Sequence, residues 1–235
     1  MRSQLIILIT TLLLCSACNN ITERKQGFSV HGVDVSRYQS EIDWKEVASQ
    51  DITFAFVKAS EGETITDTHF CQNWAAIKEA NIKRGAYHFF RPTTSVLTQA
   101  QNFIDNVILE NGDLPPVLDV EVMDGVSKED LVKRMQAWLD IIEMHFQIKP
   151  VIYTNQKFFN EHLAKDFKDY PLWIARYNNF FEPKPSNNKD WLFWQYGNKG
   201  RVNGIDGDVD LNVFQGSLEE LEALTFKQPH SLSLQ

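Results

Sequence analysis

Short apolar runs alternate with stretches whose apolar residues recur every three or four positions. This is the pattern of strands alternating with helices. Residues 30–35 (VHGVDV) read as a first strand, and residues 43–50 as a helix with Trp44 and Val47 on one side. Residues 52–58 (ITFAFVK) form a second, buried strand; Phe70, Trp74 and Ile77 then mark a helix face. Residues 85–90 (GAYHFF) give a third strand, followed by a helix carrying Leu97, Ala100, Ile104 and Ile108. Residues 116–122 (PVLDVEV) give a fourth. Ser127 with Asp130 three residues on has the form of a capping box, and Leu131, Met135, Trp138 and Ile142 continue one apolar face behind it. Residues 151–154, 172–175, 191–195 and 209–211 supply four more strands, with a short helix near 158–163 and a closing one at Leu218, Leu221 and Leu224. The first five strands alternate with helices; the last three have few between them. Alternation implies parallel strands joined by crossover helices, and eight strands imply closure. The expected fold is therefore a modified TIM-like β/α barrel with fewer helices in its last part, occupying residues 28–226 with a flexible tail over 227–235. A dinucleotide-binding sheet would need a glycine-rich turn after the first strand; here that turn reads Ser36-Arg37-Tyr38-Gln39.

Composition changes this picture little, because 43% hydrophobic and 23% charged residues in a chain of 235 are ordinary for a globular domain. The net charge of −8 places nucleic acid behind other partners. The N-terminus changes it more. Arg2, the apolar run from Leu5 to Leu14, and the small Ser16 and Ala17 outline a secretory signal over residues 1–17, too short for a comfortable membrane span. The sequence ending at Cys18 resembles a bacterial lipobox, with Cys15 where that pattern most often has Leu. Cys18 is accordingly expected to carry lipid and residues 19–27 to form a polar tether; ordinary cleavage leaving a free thiol is the alternative. Cys71, beside Phe70, reads as a small buried hydrophobe.

Candidate chemistry lies at the strand ends, where a β/α barrel collects its working groups. The first strand ends near Asp34, the fourth carries Asp119 and Glu121, and the last carries Asp208 and Asp210. Acids inside apolar strands are costly without partners or work. Val117, Asp119 and Glu121 share one face of the fourth strand, and Leu118, Val120 and Val122 the other. The apolar set belongs under the helices, so both carboxylates point toward the barrel axis, about 6–7 Å apart at the backbone. At that spacing one ionised acid raises the pKa of the other, the equipment for glycoside hydrolysis. The six histidines (31, 69, 88, 145, 162 and 230) are scattered, which disfavours a barrel metallohydrolase; no metal or cofactor is expected. Tyr87, Phe89, Phe90, Tyr153, Trp173, Trp194 and Tyr196 mark the same rim; alternation lets about half of them face the axis, where apolar faces and hydroxyls suit sugars.

Taken together, HGVDVSRYQSEIDW, FAFVKASEG, GAYHFFRP, PPVLDVEV, KPVIYTN, PLWIARY, FWQYG and GDVDLNVF resemble glycoside hydrolase family 25, the Chalaropsis-type N-acetylmuramidases, from Val30 to about Phe214. The resemblance implies cleavage of the β-1,4 bond from N-acetylmuramic acid to N-acetylglucosamine in peptidoglycan. Retention of configuration, with help from the sugar's 2-acetamido group, is also implied. It makes Glu121 the general acid/base and Asp119 its partner, with Asp34 and Asp210 completing the site. Tyr87, Phe89, Tyr153, Trp173, Gln195 and Glu61 are expected to line the sugar groove, and Arg176 either to reach acidic parts of the substrate or to pair at the rim. The protein is thus expected to be an exported, membrane-anchored, monomeric lipoprotein of the bacterial cell envelope. The alternatives are a non-catalytic peptidoglycan-binding lipoprotein, which would be expected to lack Glu121 or Asp119, and a chitinase-like hexosaminidase, which would carry a longer acid series before its Glu.

Overall fold

The structure, a computed structural model, describes residues 22–177 and 181–228. Nine strands form one sheet: β1 (His31–Val35), β2 (Phe54–Glu61), β3 (Ile65–Thr66), β4 (Lys83–Phe89), β5 (Val117–Asp119), β6 (Val151–Asn155), β7 (Leu172–Ala175), β8 (Phe193–Gly200) and β9 (Val209–Phe214). Their order is β1-β9-β8-β7-β6-β5-β4-β2-β3, and a parallel β1–β2 pairing closes the sheet into an eight-stranded barrel. The two-residue β3, which the sequence pattern did not announce, folds back antiparallel on the end of β2.

Connection length decides strand direction. Helices α1 (Trp44–Ala48), α2 (Phe70–Glu79), α3 (Val96–Asn106), α4 (Lys128–Phe146) and α5 (Gln156–Phe158, running into a π-helical turn Phe159–Leu163) supply the crossovers that keep β1, β2 and β4 to β7 parallel. The last strand departs from this rule. Only residues 201–208 separate β8 from β9, too few for a crossover, so β9 runs antiparallel to both β8 and β1. A short α6 (Leu218–Ala223) follows, capped by Ser217.

Alternation sorts the core into two layers. Val33, Val35, Ala55 and Val57 face outward under the helices with Phe103, Leu131, Met135 and Trp138. Phe54, Phe56, Val117, Val151, Trp173, Phe193 and Phe214 fill the barrel. Two glycines make room for this interior. A Cβ on Gly32 would lie 2.4 Å from the Phe54 ring, and one on Gly85 2.4 Å from the Phe56 ring, so only hydrogen fits at either position. At the opposite end from the acids, buried Arg84 is held by both oxygens of Asp113 at 2.7 and 3.0 Å and lies 4.1 Å over the Trp74 ring.

Several expectations are corrected. Helix α3 stops at Asn106, leaving Ile108 exposed beyond it. Ser127 accepts the Asp130 N–H as foreseen, but the short Asp130 side chain instead accepts the Ser127 hydroxyl, so the reciprocal half of a capping box is absent. Cys71 is exposed: it lies on the solvent side of α2, away from Phe70 and Ile77. Residues 1–21 lie outside the described residues. From Thr22 the chain is fastened rather than loose. Thr22 exchanges hydrogen bonds with the Arg201 backbone, Arg24 reaches the Gln50 carbonyl, and Phe28 packs on Trp191 and Trp194.

Candidate active site

The parallel strands deliver their C-terminal ends to one mouth, and there a cleft of about 260 Å³ opens. Asp34, Asp119, Glu121 and Asp210 all line it. Strand β5 ends at Asp119, so Glu121 stands just past the strand rather than on it, with its carboxyl open to the cleft while Asp119 is buried. Burial, then the neighbouring charge of Glu121, pushes Asp119 well above the usual carboxylate range, and burial also raises Glu121. The two groups are coupled by charge, and Asp119 Oδ1 has no hydrogen-bond partner among the described residues. Such a pair holds one proton near neutral pH.

The second pair is set by strand register. Antiparallel pairing places Asp34 directly opposite Asp210. Asp34 Oδ2 accepts Gln195 Nε2 at 2.8 Å and Asn212 Nδ2 at 2.7 Å. Burial raises Asp34 to about 6, the two amides opposing the rise. Burial and the Asp34 charge raise Asp210 to about 9.

Of the groove residues expected from sequence, Tyr87, Phe89, Tyr153, Trp173 and Gln195 line the cleft. Glu61 does not. It lies behind the wall, 2.7 Å from Lys58 Nζ and 2.6 Å from Arg91, and the side chain in the cleft is Lys58. The bulge between Lys58 and Ser60 accompanies this arrangement: it shifts the β2–β4 register just where β2 reaches the mouth. Trp194 and Tyr196 face the outer core, and Trp194 Nε1 donates to the Arg176 carbonyl. The Arg176 guanidinium donates to the Glu182 carbonyl.

Sequence reasoning missed Lys58, Tyr38 and Tyr177 as wall residues. Each sits inside a motif already singled out (FAFVKASEG, DVSRYQ, LWIARY), one to three residues beyond an apolar strand position. Tyr38 is thrown outward by a tight turn after β1. Ser36 Oγ accepts the Tyr38 N–H, Gln39 Oε1 accepts the Ser36 N–H, and Asp67 accepts the Arg37 N–H, leaving Tyr38 77% exposed. Tyr177, 54% exposed, also lines the cleft. Among the described residues no three His, Cys, Asp or Glu side chains are arranged to hold a metal ion.

This arrangement has relatives. A family model described as Glycosyl hydrolases family 25 matches residues 33–205. The chain is 43% identical over 202 residues to the Uncharacterized protein YegX of Escherichia coli strain K12, covering 83% of this chain and 73% of that one. It is 36% identical over 216 residues to Lysozyme M1 of Streptomyces globisporus, covering 83% and 71%. A family 25 glycosyl hydrolase structure from Bacillus anthracis superposes with a TM-score of 0.81 at 34% identity, covering 87% of this chain and 97% of that one.

Proposed function

The chain belongs to glycosyl hydrolase family 25 and is a glycoside hydrolase, and from that premise we propose that it is an exported lysozyme. Its substrate is the β-1,4 bond between N-acetylmuramic acid and N-acetylglucosamine in peptidoglycan. The observation that carries the reading is the Asp119–Glu121 pair, one member buried and one open to an aromatic-walled cleft.

In this reading Glu121 protonates the leaving oxygen and later activates water. Asp119 and Glu121 lie two residues apart at the end of one strand and line the same cleft, which suits two acids on one side of the scissile bond better than the pair on opposite faces of the sugar that inversion requires. In this reading the nucleophile is part of the substrate rather than Asp119. The 2-acetamido oxygen of the sugar takes that part, with net retention. Asp119 accepts the acetamido N–H, and its partnerless Oδ1 is an acceptor in need of such a donor. Satisfying Asp119 as an anion draws the shared proton onto Glu121, where the reaction uses it. Tyr87, Phe89, Tyr153 and Trp173 give the sugar its walls, Gln195 holds Asp34, and Lys58 offers the cleft a cation.

The proposal extends to residues outside the described structure: residues 1–17 direct export and Cys18 carries a lipid. The chain is fastened to the barrel from Thr22, four residues behind the proposed anchor. Replacing Cys18 with Ser should move the protein out of the membrane fraction; unchanged retention refutes the anchor.

The activity test is a peptidoglycan digest with protein lacking residues 1–20, then reduction and mass spectrometry. Products ending in reduced muramic acid support the proposal. Ends in reduced glucosamine would assign the other bond. Binding to sacculi without products would make this a binding module.

A further inference from the structure

Glu121 and Asp119 perform the proposed chemistry, yet Asp34 is buried and Asp210 half-buried nearby, with two neutral amides directed at Asp34 alone. The indole Nε1–H of Trp173 can only donate. The Asn212 atom 2.8 Å from it is therefore the oxygen. The Asn212 nitrogen then faces Asp34 Oδ2 at 2.7 Å and donates to it. Gln195 is held in the same sense: the Tyr153 and Tyr177 hydroxyls converge on Oε1 at 2.8 and 2.9 Å, and Nε2 donates to the same Asp34 oxygen. The two N–H donors on Asp34 Oδ2 favour its anionic form and leave Oδ1 as the oxygen on which Asp34 could hold a proton. Asp34 and Asp210 stand directly opposite each other in the antiparallel pairing with their charges coupled, so they share one proton.

We propose that Asn212, oriented by Trp173, is a positioning residue that holds Asp34 as the anion of this pair and leaves the proton on Asp210, which thereby faces the cleft as a neutral hydrogen-bond donor. The other charged or titratable groups lining the cleft are Tyr38 after β1, Lys58 on β2, Tyr87 on β4, Asp119 and Glu121 at the end of β5, Tyr153 on β6 and Tyr177 after β7. Lys58 is bound to Glu61, and the rest are acids or phenols, so nothing on these elements supplies a cation to either carboxyl of the pair. The higher position of Asp210, about 9 against about 6 for Asp34, has the same sense. The inference deepens the muramidase reading and rests on it for its consequence: the acetamido and lactyl carbonyls of the glycan are acceptors, which a neutral Asp210 can meet as a donor where an anion would repel them.

The test is a ¹³C-NMR titration of the side-chain carboxyls in the purified protein, beside pH profiles of kcat/KM on peptidoglycan. In the native protein the lower step should be seen at Asp34 and the upper at Asp210. Removing a hydrogen bond to a charged group shifts an equilibrium about ten- to hundredfold, so Asn212→Ala should raise the lower step by about one to two pH units. It should also make both carbons report both steps, and lower kcat/KM about tenfold at neutral pH. Should Asn212→Ala not fold, the exchange Asp34→Asn with Asn212→Asp keeps an amide facing an acid and Trp173 donating to oxygen. There Asp210 loses its anionic neighbour, and its upper step should fall. The upper step appearing at Asp34 in the native protein overturns the proposal. So does an Asn212→Ala variant that is less stable but has unchanged titrations, the mark of a merely structural role. The titrations are read without substrate, so an inactive protein showing the expected steps would refute the hydrolase reading and uphold this one.

Discussion

Replacing Gly85 with Ala tests how the barrel interior supports the cleft. The added methyl would lie 2.4 and 2.5 Å from two atoms of the Phe56 ring and 3.1 Å from Leu114 Cβ, well inside van der Waals contact. Phe56 cannot yield freely, since its ring is stacked 4.4 Å from Trp173 and packed edge-on against Phe54 and Phe193. Overpacking of this kind costs about 1–3 kcal/mol, which lowers the melting temperature of a domain this size by about 2–4 °C per kcal/mol. Urea unfolding should show the loss as a lower midpoint with unchanged slope. Trp173 in turn holds Asn212, so the displaced ring should disturb Asp34 and lower activity as well. Adding Phe56→Leu to Gly85→Ala should recover part of the loss, giving a coupling of opposite sign to the single effects. A Gly85→Ala protein with wild-type midpoint and activity, or strictly additive single and double variants, would refute the reasoning.

Glu121→Gln should keep the fold by circular dichroism and lower turnover about 10²–10⁴-fold; near-native turnover would remove Glu121 from the acid role. Asp113→Ala removes two charged hydrogen bonds from the buried Arg84 guanidinium, which keeps Glu110 and the Trp74 carbonyl, and should cost about 1.5–3 kcal/mol in urea unfolding with little change in kcat/KM, because the pair lies at the far end of the barrel. Asp210 and Asp34 both titrate higher in the folded protein than in the unfolded chain, so between about pH 4 and 9 the folded state binds more protons and these groups lose stability as pH rises. Asp210→Asn should therefore gain stability relative to wild type at pH 8 compared with pH 4; a difference that does not grow with pH contradicts that sign.

Much of this was legible in the residue pattern. The alternation of apolar runs with helical faces gave eight barrel strands in order, since burial against the outer helices demands one set of residues and filling the barrel another. The same alternation placed Asp34, Asp119 and Asp210 at strand ends facing inward, because side chains on a strand change faces at every residue. It placed Glu121 on the correct side of the site but on the wrong element, as nothing local marks the end of β5 at Asp119 rather than at Val122. The exchange of Glu61 for Lys58 on the cleft wall has a similar origin: a register shift between paired strands is invisible in either strand alone. Cys71 beside Phe70 was misjudged because neighbouring helical residues point about 100° apart, and only the docked face tells which is covered.

By itself the sequence determined the kind of barrel and the end of it at which the four carboxylates gather. These follow from short-range regularities, strand period and helix period, which every residue reports. Only the tertiary structure decided which carboxylates meet and which of them ionise. Asp34 and Asp210 lie at opposite ends of the chain and become partners through β1–β9 pairing. The amides that settle their protonation arrive from β8 and β9, themselves oriented by hydroxyls and an indole on or beside β6 and β7. Ionisation depends on burial and on charges and donors a few ångströms away, and those distances exist only once the barrel has closed.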